Sequence, residues 1–232
     1  MNDAPPRRGR LAPSPTGLLH LGNAWAFWLA WLDARQARGR LLLRLEDLDP
    51  VRSRPEYARQ IRCDLAWLGL DWDEETPPQS RRGPAYAAAL ARLDALGLVY
   101  PCFCTRRELR SLAGAPQVGD AGAPYPGTCR GLSPAERAAL AAAGRGRALR
   151  LAGPPDRLWA FDDRVRGPQR LTLADCGGDF PLRRSDGVYA YQLAVVVDDL
   201  AQGVTSVVRG GDILVGTPRQ LYLYELLGGR PP

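Results

Sequence analysis

The sequence predicts an α/β fold: a doubly wound parallel sheet interrupted by a smaller inserted subdomain. Segments typical of strand, loop, helix, strand and helix follow one another from residue 10 to residue 68, as in half of such a sheet. The run 193–197 is apolar on both faces, which is typical of a parallel strand covered on both sides. Between these regions, cysteines and a stretch rich in Gly, Ala and Pro mark a change of composition after Tyr100.

The first half of the chain is predicted to alternate strands and helices. In order, these are a strand at 10–12, a helix at 21–38 that ends at Gly39, a strand at 41–45, a helix at 55–68 with a capping box of Ser53 and Glu56, and a helix at 85–96. Along the first helix, apolar residues recur at helical spacing, which predicts that their face is buried. These residues are Trp25, Trp28, Leu29 and Leu32.

The inserted region and the second half are predicted from more local patterns. Capping boxes are predicted at Thr105 with Glu108 and at Ser133 with Glu136, and a loop at 113–127. Short strands are predicted at 147–151, 170–173 and 180–183, and two further strands at 191–197 and 204–209. A last helix is predicted to be capped by Thr217, with Pro218 at its first position and Gly228 beyond its end.

The composition is that of a folded globular protein. Of the 232 residues, 45% are hydrophobic and 24% charged, which allows a buried core and argues against wholesale disorder. The net charge of +6 favours anionic partners, including nucleic acid, without identifying one, and the chain contains arginine but no lysine. The longest apolar stretch, 24–32, is too short to cross a bilayer, and residues 1–10 lack the apolar core of a signal peptide, so we expect a cytoplasmic protein.

The loop that leaves the first strand is a candidate phosphate-binding site. It enters the first helix at a His-x-Gly-Asn step formed by His20, Gly22 and Asn23. Backbone amides and the helix dipole favour anions at a helix start, and a glycine there lets a nucleotide approach the backbone closely. His20, the single histidine of the chain, can donate a hydrogen bond to a phosphate oxygen. These three residues are therefore the candidate catalytic group.

The five cysteines suggest a metal site. Cys102, Cys104 and Cys129 lie close in sequence, whereas Cys63 and Cys176 stand apart. An odd count in a chain of this kind favours metal ligands and free thiols over a disulfide framework. A structural zinc ion takes four ligands in a tetrahedron, and the residues alone leave the fourth ligand open.

The segment from Arg10 to Asn23 resembles the first signature of class I aminoacyl-tRNA synthetases, in its glutamyl version. Four more segments match that group in order: 43–49, 183–187, 191–199 and 208–212. The resemblance covers essentially the whole chain. It implies the Rossmann-type doubly wound parallel sheet of class I synthetases with an inserted zinc-binding subdomain, divided as catalytic domain 1–100, insertion 101–184 and catalytic domain 185–232.

The resemblance also implies an amino-acid site. The segment formed by Arg10, Leu11, Ala12, Pro13 and Ser14 would line it. Glu46 would hold the α-ammonium of glutamate, and Tyr191 and Arg209 would complete the pocket. Glutamate has two carboxylates and one ammonium, so its site needs cations and one anion, and arginine binds a carboxylate through two parallel hydrogen bonds.

A Cys-x-Cys pair joins a Tyr-x-x-x-Cys segment around zinc in one branch of this family, the branch that glutamylates queuosine in tRNA(Asp). Here the corresponding residues are Cys102, Cys104, Tyr125 and Cys129. A phenolate is an unusual zinc ligand, but direct coordination lowers its pKa. The resemblance therefore implies one structural zinc ion per chain.

The same branch lacks the helical anticodon-binding region of glutamyl-tRNA synthetases, and we expect none in this protein. It implies activation of glutamate with ATP and Mg²⁺, without tRNA, and transfer of the glutamyl group to queuosine in the anticodon of tRNA(Asp). The class I signature that contains lysine is missing. We therefore expect that the chain is truncated before that signature, and that it binds glutamate but activates it poorly. We also expect a monomer. The alternatives are the catalytic part of an enzyme charging tRNA(Glu) and a non-catalytic tRNA-binding paralogue.

Overall fold

Strands and helices alternate in the first part of this computed structural model, which describes residues 6–105, 107–109 and 124–232. The first elements are β1 (Arg8–Leu11), α1 (Leu21–Gln36), β2 (Arg40–Leu43), α2 (Pro55–Trp67), β3 (Glu74–Glu75) and α3 (Gly83–Ala95). They are followed by β4 (Val99–Cys102), α4 (Pro134–Ala142), β5 (Ala148–Leu151), β6 (Leu158–Asp163), β7 (Gly167–Thr172), β8 (Phe180–Arg183), α5 (Tyr191–Gln202) and α6 (Thr217–Leu226). No helix among the described residues is long and apolar enough to cross a membrane.

The chain divides into two compact units. Among the described residues, the first unit comprises 6–86, Val197–Gly210 and Arg230–Pro232. The second comprises the described parts of Ala87–Val196 and Gly211–Gly229. Each unit is thus assembled from separate stretches of the chain. The domain boundaries expected from the family resemblance remain a prediction.

The first unit is built on a parallel sheet in the order β1–β2–β3. Gly9 is opposite Leu41 and Leu11 is opposite Leu43, so the sheet register places apolar side chains of β1 and β2 side by side. Helices α1 and α2 cover this sheet with buried apolar side chains. The core consists of Leu11, Ala30, Ala34, Leu41, Leu43, Leu45, Ile61, Leu65 and Leu70. The predicted α/β class with a parallel sheet is confirmed.

Gly39 shows why the turn between α1 and β2 needs glycine. A Cβ atom at this position would collide with the carbonyl oxygen of Arg7. The neighbouring Arg40 donates its backbone N–H to the same oxygen at 2.9 Å, which starts the pairing of β2 with the chain before β1. The absence of a side chain at Gly39 therefore lets the two strands approach.

The second unit contains two antiparallel sheets. One has the order β4–β5–β8 and the other is the β6–β7 hairpin. Beside the first sheet lies a small core that includes two cysteines and two tyrosines. Its buried members are Tyr100, Cys102, Phe103, Tyr125 and Cys129. The strands predicted at 147–151, 170–173 and 180–183 correspond to β5, β7 and β8, with shifted ends for the first two.

Two predicted strands are wrong. The apolar run that was expected to be a parallel strand at 191–197 is the start of helix α5. A short run with no polar face is compatible with a buried helix as well as a buried strand, and here the element extends over 12 residues, a helical length. Residues 204–209 form no strand either, although the backbone N–H of Thr205 donates to Arg8 at 2.9 Å beside β1.

The predicted helix caps have mixed outcomes. The capping boxes of Thr105 with Glu108 and of Ser133 with Glu136 are confirmed. The box of Ser53 with Glu56 is wrong, because Arg54 is the N-cap of α2 and its side chain makes no cap hydrogen bond. At α6 the N-cap is Gly216 and not Thr217, whose hydroxyl donates to the Leu214 carbonyl, although Pro218 is in the first turn as predicted.

The predicted apolar stripe of α1 is also wrong. Trp25 and Trp28 are 61% and 43% exposed, and their rings stack on each other with centroids 5.9 Å apart. Helix α1 instead turns its small residues, Ala30 and Ala34, into the core. Phe27 and Trp31 of α1 are partly buried against the same core.

Candidate functional site

His20 is the N-cap of α1 and its ring is already engaged. Its Nδ1 atom accepts hydrogen bonds from the backbone N–H groups of Gly22 at 3.1 Å and Asn23 at 3.3 Å. The Asn23 side-chain oxygen accepts the His20 backbone N–H at 3.3 Å, which completes a capping box. Because Nδ1 is an acceptor, a neutral ring carries its proton on Nε2. The exposed ring therefore presents one N–H donor at the helix start.

This geometry changes the phosphate-binding prediction in one respect. The amides of Gly22 and Asn23 were expected to face an anion, but both donate to His20. The positive end of the helix dipole and the Nε2–H group remain available to an anion. The group of His20, Gly22 and Asn23 is thus one unit, in which two members fix the tautomer of the third.

Backbone pairing continues beyond the strand ends and brings the loop after β1 next to the loop after β2. The N–H of Arg44 donates to Leu11 and that of Glu46 donates to Pro13, both at 2.9 Å. The predicted amino-acid-binding segment 10–14 therefore runs beside Glu46 at the carboxyl end of the parallel sheet. That end is where ligands bind in open α/β sheets.

Glu46 is held by Arg44. One carboxylate oxygen, Oε1, accepts from Nη2 of Arg44 at 3.0 Å and from Nε at 3.3 Å. Burial raises the pKa of Glu46, although the nearby guanidinium groups of Arg44 and Arg10 partly oppose this. Within the described part of the chain, Oε2 has no hydrogen-bond partner. This oxygen is therefore free to accept from a ligand ammonium.

Arg10 is a buried cation with incomplete pairing. Its Nη1 donates to the Val208 carbonyl at 3.0 Å, and its Nε lies 3.6 Å from Asp199 Oδ1, too far for a hydrogen bond. Among the described residues, Nη2 of Arg10 has no partner. Arg10 and Glu46 thus lie at the same end of the sheet. The predicted place of Arg209, the residue after Val208, in the amino-acid pocket stays a prediction.

Tyr191 belongs to the second unit, where it is the first residue of α5. Its predicted place in the amino-acid pocket stays a prediction. Ser14 is exposed in the loop after β1, while Pro13 is buried there. The backbone N–H of Thr16 donates to the Ser14 carbonyl at 2.8 Å, so this loop is a tight turn.

Sequence reasoning missed the role of Arg44 and the acidic pair Asp198–Asp199. Arg44 is entirely buried and its Nη1 donates to Asp199 Oδ1 at 2.6 Å. Burial lowers the pKa of Arg44, but the nearby carboxylates of Asp199 and Glu46 together raise it above its ordinary value. A charged residue inside the otherwise apolar run 41–45 was the available indication, because arginine is almost never fully buried without a partner.

Three thiols converge in the second unit. The sulfur atoms of Cys102, Cys104 and Cys129 lie within 4.8 Å of one another, and those of Cys104 and Cys129 are 3.6 Å apart. Sulfur ligands of a tetrahedral zinc ion are separated by about 3.8 Å, given a Zn–S distance of about 2.3 Å. The cluster is therefore compatible with a zinc ion, and its Cys104–Cys129 pair is already close to the tetrahedral separation.

Tyr125 lies against this cluster. Its hydroxyl accepts the backbone N–H of Cys129 at 2.8 Å, and the guanidinium of Arg150 stacks over its ring at 3.8 Å from the centroid. Burial raises the pKa of Tyr125, and its hydrogen bond to Cys102 raises it further. The phenol oxygen thus shares the site with the three sulfurs, as a fourth ligand would.

The thiols differ in their tendency to ionise. Although burial opposes ionisation of Cys102, its hydrogen bonds to Tyr125 and to the Cys104 backbone and the charge of Arg150 lower its pKa. Burial and the neighbouring thiols raise the pKa of Cys104 to about 12. The backbone N–H of Phe103 donates to the Cys129 sulfur at 3.4 Å. The three sulfurs suit zinc, and the phenol oxygen beside them would be an unusual fourth ligand.

The sequence of the chain matches one protein family over nearly its whole length. Residues 7–232 match the family described as tRNA synthetases class I (E and Q), catalytic domain. A glutamyl-Q tRNA(Asp) synthetase of Nitratidesulfovibrio vulgaris is 63% identical, over 97% of this chain and 72% of the relative. A glutamyl-Q tRNA(Asp) synthetase of Symbiobacterium thermophilum is 52% identical, again over 97% of this chain and 72% of the relative.

Solved structures agree with this assignment at the level of the fold. A glutamate–tRNA synthetase from Elizabethkingia anophelis superposes with a TM-score of 0.84 at 28% identity, covering 98% of this chain and 49% of that one. A glutamate tRNA ligase from Elizabethkingia meningosepticum, in complex with its amino acid, gives 0.82 at 28% identity, covering 97% and 48%. The chain thus spans about half the length of the two solved structures it matches.

Proposed function

The chain belongs to the family of class I tRNA synthetases (E and Q), catalytic domain, and on this premise we propose that it activates glutamate with ATP and transfers the glutamyl group to queuosine in tRNA(Asp). The observation that carries this proposal is the 63% identity to a glutamyl-Q tRNA(Asp) synthetase over 97% of the chain. The charges at the carboxyl end of the β1–β2 sheet support it, because Arg10 and Glu46 lie there and glutamate needs both cations and one anion.

The amino acid would bind by its charges. Arg10, through its unpaired Nη2, and Arg209 would hold the carboxylates of glutamate, and Oε2 of Glu46 would accept its α-ammonium. Arginine favours a carboxylate over the amide of glutamine, since the amide offers only one acceptor oxygen and no charge. Tyr191 would complete the pocket, as the resemblance implies.

Activation would then need no protein nucleophile. A carboxylate oxygen of glutamate attacks the α-phosphorus of ATP, the bond to the bridging oxygen breaks, and pyrophosphate leaves. The Nε2–H group of His20 would donate to the phosphates at the start of α1, where the dipole also favours their charge. Mg²⁺, brought with ATP, would neutralise part of that charge.

Transfer would use the mixed anhydride already formed. The hydroxyl oxygen on the cyclopentene ring of queuosine attacks the glutamyl carbonyl carbon, an ester bond forms, and AMP leaves as the hydroxyl proton is released. The anhydride is activated, so correct placement of the hydroxyl supplies much of the rate. The chain's net charge of +6 suits an RNA substrate.

We further propose that Cys102, Cys104, Tyr125 and Cys129 bind one structural zinc ion. When bound, the metal would join β4 to the segment around Cys129 and so stabilise the small core of the second unit. It would take no part in activation.

The activation step is tested by the glutamate-dependent exchange of labelled pyrophosphate into ATP. The exchange is measured without tRNA. Because the chain contains no lysine for the phosphates, we expect a low rate, and the informative quantity is its amino-acid specificity. We expect exchange above background with glutamate and none with glutamine or aspartate. Equal background rates for all three would contradict the proposal. Exchange that appears only when tRNA(Glu) is added would instead favour an enzyme that charges tRNA(Glu).

A further inference from the structure

The buried pair Arg44–Asp199 connects the two charged ends of the proposed amino-acid site. We propose that it is a positioning pair, in which Arg44 orients Glu46 for the ammonium of glutamate and Asp199 orients Arg10 for a carboxylate. This inference rests on the proposed function and deepens it. Neither Arg44 nor Asp199 is expected to touch the substrate, so each would act through its neighbour.

The contact between Arg44 and Glu46 fixes one carboxylate oxygen and leaves the other available. Both Nε and Nη2 of Arg44 donate to Oε1, at 3.3 and 3.0 Å. A guanidinium that uses two adjacent donors on one oxygen limits rotation of the carboxylate more than one donor does. Oε2 is consequently held in one direction, and within the described residues nothing else bonds to it.

Asp199 serves the other end of the site. Its Oδ1 accepts from Arg44 Nη1 at 2.6 Å and lies 3.6 Å from Nε of Arg10. The Nε atom of Arg10 is buried without a hydrogen-bond partner in the described part of the chain, so the charge of Asp199 is its nearest compensation. With Nη1 bonded to the Val208 carbonyl, Nη2 is the terminal nitrogen of Arg10 that has no hydrogen-bond partner among the described residues.

The pair is itself held in place by the residues around it. Gln202, one turn after Asp199 on α5, accepts from Arg44 Nη1 at 2.9 Å. The preceding residue, Asp198, is buried and accepts from Gln79 Nε2 at 2.8 Å, from the Tyr86 hydroxyl at 2.9 Å and from Arg82. These bonds fix the segment of α5 that presents Asp199. An aligned charge network of this kind has few alternative arrangements.

Stability alone does not explain so many buried charges. Well-packed apolar residues in place of a buried ion pair are often as stable or more so, because desolvation offsets much of the Coulomb attraction. A site that must hold a zwitterionic diacid, however, needs its own cations and anion fixed before the ligand arrives. The geometry of Arg44 and Asp199 supplies that fixation.

The first test compares glutamate with glutarate, which has both carboxylates and no ammonium. In R44K a single ammonium replaces the planar fork; it can keep the contact with Asp199 but cannot place two adjacent donors on Oε1 of Glu46. Isothermal titration calorimetry is expected to show glutamate affinity lowered about 10- to 100-fold, the range for one charge-assisted hydrogen bond. Affinity for glutarate should change less than about threefold. An equal loss for both ligands would indicate a merely structural role and overturn the proposal.

A double-mutant cycle gives the second readout. If Arg44 acts through Glu46, R44K should add less than about threefold to the loss already caused by E46Q, whereas independent residues would give multiplied losses. D179N is the matched control: Asp179 is also buried and accepts from Tyr100 at 2.7 Å, but it lies in the second unit. This control is expected to lower the melting temperature without changing glutamate affinity.

D199N keeps the test valid if R44K does not fold. Asparagine retains the acceptor for Arg44 but removes the charge that faces Arg10. Affinities for glutamate and glutarate should then fall together by about tenfold, because both ligands bring carboxylates. Unchanged affinities in D199N would overturn the role of Asp199. If the unaltered chain does not bind glutamate, the proposed function fails as well; if it binds and only E46Q matters, the positioning pair alone is wrong.

Discussion

At the scale of single residues, His20 joins structure and chemistry in one ring. Nδ1 closes the start of α1 by accepting from Gly22 and Asn23, and Nε2 is left on the exposed side. The cap fixes the tautomer that a phosphate donor needs, since a neutral imidazole that accepts at one nitrogen donates at the other. The two roles can be separated by substitution.

H20S keeps a side chain that can cap the helix, whereas H20A keeps neither the cap nor the phosphate donor. A serine hydroxyl can cap the helix but is too short to reach a phosphate, so we expect H20S to retain stability. H20A should lose about 1 kcal/mol in urea unfolding, the usual cost of a lost N-cap. Pyrophosphate exchange should fall in both by about 10²- to 10³-fold, as for one lost transition-state donor. Exchange in H20S at the rate of the unaltered chain would exclude the phosphate role.

The pH dependence of glutamate binding should report on Glu46. Burial raises the pKa of this carboxyl, so it becomes protonated at a higher pH than an exposed glutamate and then no longer attracts an ammonium. Glutamate affinity is therefore expected to fall as pH decreases through that raised pKa. Titration calorimetry at several pH values checks this, with E46Q as the control that should lack this step. The same pH profile in E46Q would assign the step to another group.

At the scale of secondary-structure elements, the carboxyl ends of β1 and β2 assemble the site. Parallel pairing that continues past the strands aligns Pro13 with Glu46, and the carbonyl of Val208 accepts a hydrogen bond from Arg10. The sequence predicted this first half well, because loop and cap residues such as Gly39 and the His-x-Gly-Asn step specify the backbone locally. The strands and helices that were predicted there differ from the structure only at their ends, whereas β3 and β4 had no predicted counterpart.

Other features could not be predicted from the sequence, because they depend on contacts between distant parts of the chain. The run 193–197 lacks a polar face and is helical in α5, a choice that depends on tertiary neighbours and not on periodicity. The contact of Arg44 with Asp199 spans 155 positions in sequence, and no local pattern encodes it. The Gly/Ala/Pro-rich loop predicted at 113–127 lies largely outside the described residues.

Helix α1 offers a direct test of its orientation. Trp25 is 61% exposed whereas Leu41 of β2 is entirely buried beneath the helices. W25A is therefore expected to change the free energy of unfolding by no more than about 1 kcal/mol, mainly through its stacking on Trp28. L41A, the core comparison, should cost about 2–5 kcal/mol. If W25A lowered the free energy of unfolding in urea by as much as L41A, the interpretation of a buried stripe would stand.

At the scale of the whole molecule, each of the two units contains a different proposed site. The first contains the charged site at the end of the parallel sheet. The second contains the cluster of Cys102, Cys104, Tyr125 and Cys129, beside an antiparallel sheet with a small core. Small cores gain much of their stability from a metal when one is bound.

Zinc content should decide the role of that cluster. We expect one zinc ion per chain by elemental analysis after purification without chelators, and a lower melting temperature after a chelator removes it. C129S should bind less zinc and melt earlier. C63S is the control, because Cys63 is exposed on α2 and distant in sequence from the cluster. A zinc-free chain with unchanged melting would refute the metal site.

The central claim is that this chain glutamylates queuosine in tRNA(Asp), and acceptor specificity tests it most directly. Labelled glutamate, ATP and Mg²⁺ are incubated with the chain and, separately, with queuosine-containing tRNA(Asp), the same tRNA without queuosine, and tRNA(Glu). We expect acid-precipitable label on the queuosine-containing tRNA(Asp) alone, in an amount that rises in proportion to the concentration of the chain. Label on tRNA(Glu), or equal label on tRNA(Asp) with and without queuosine, would contradict it.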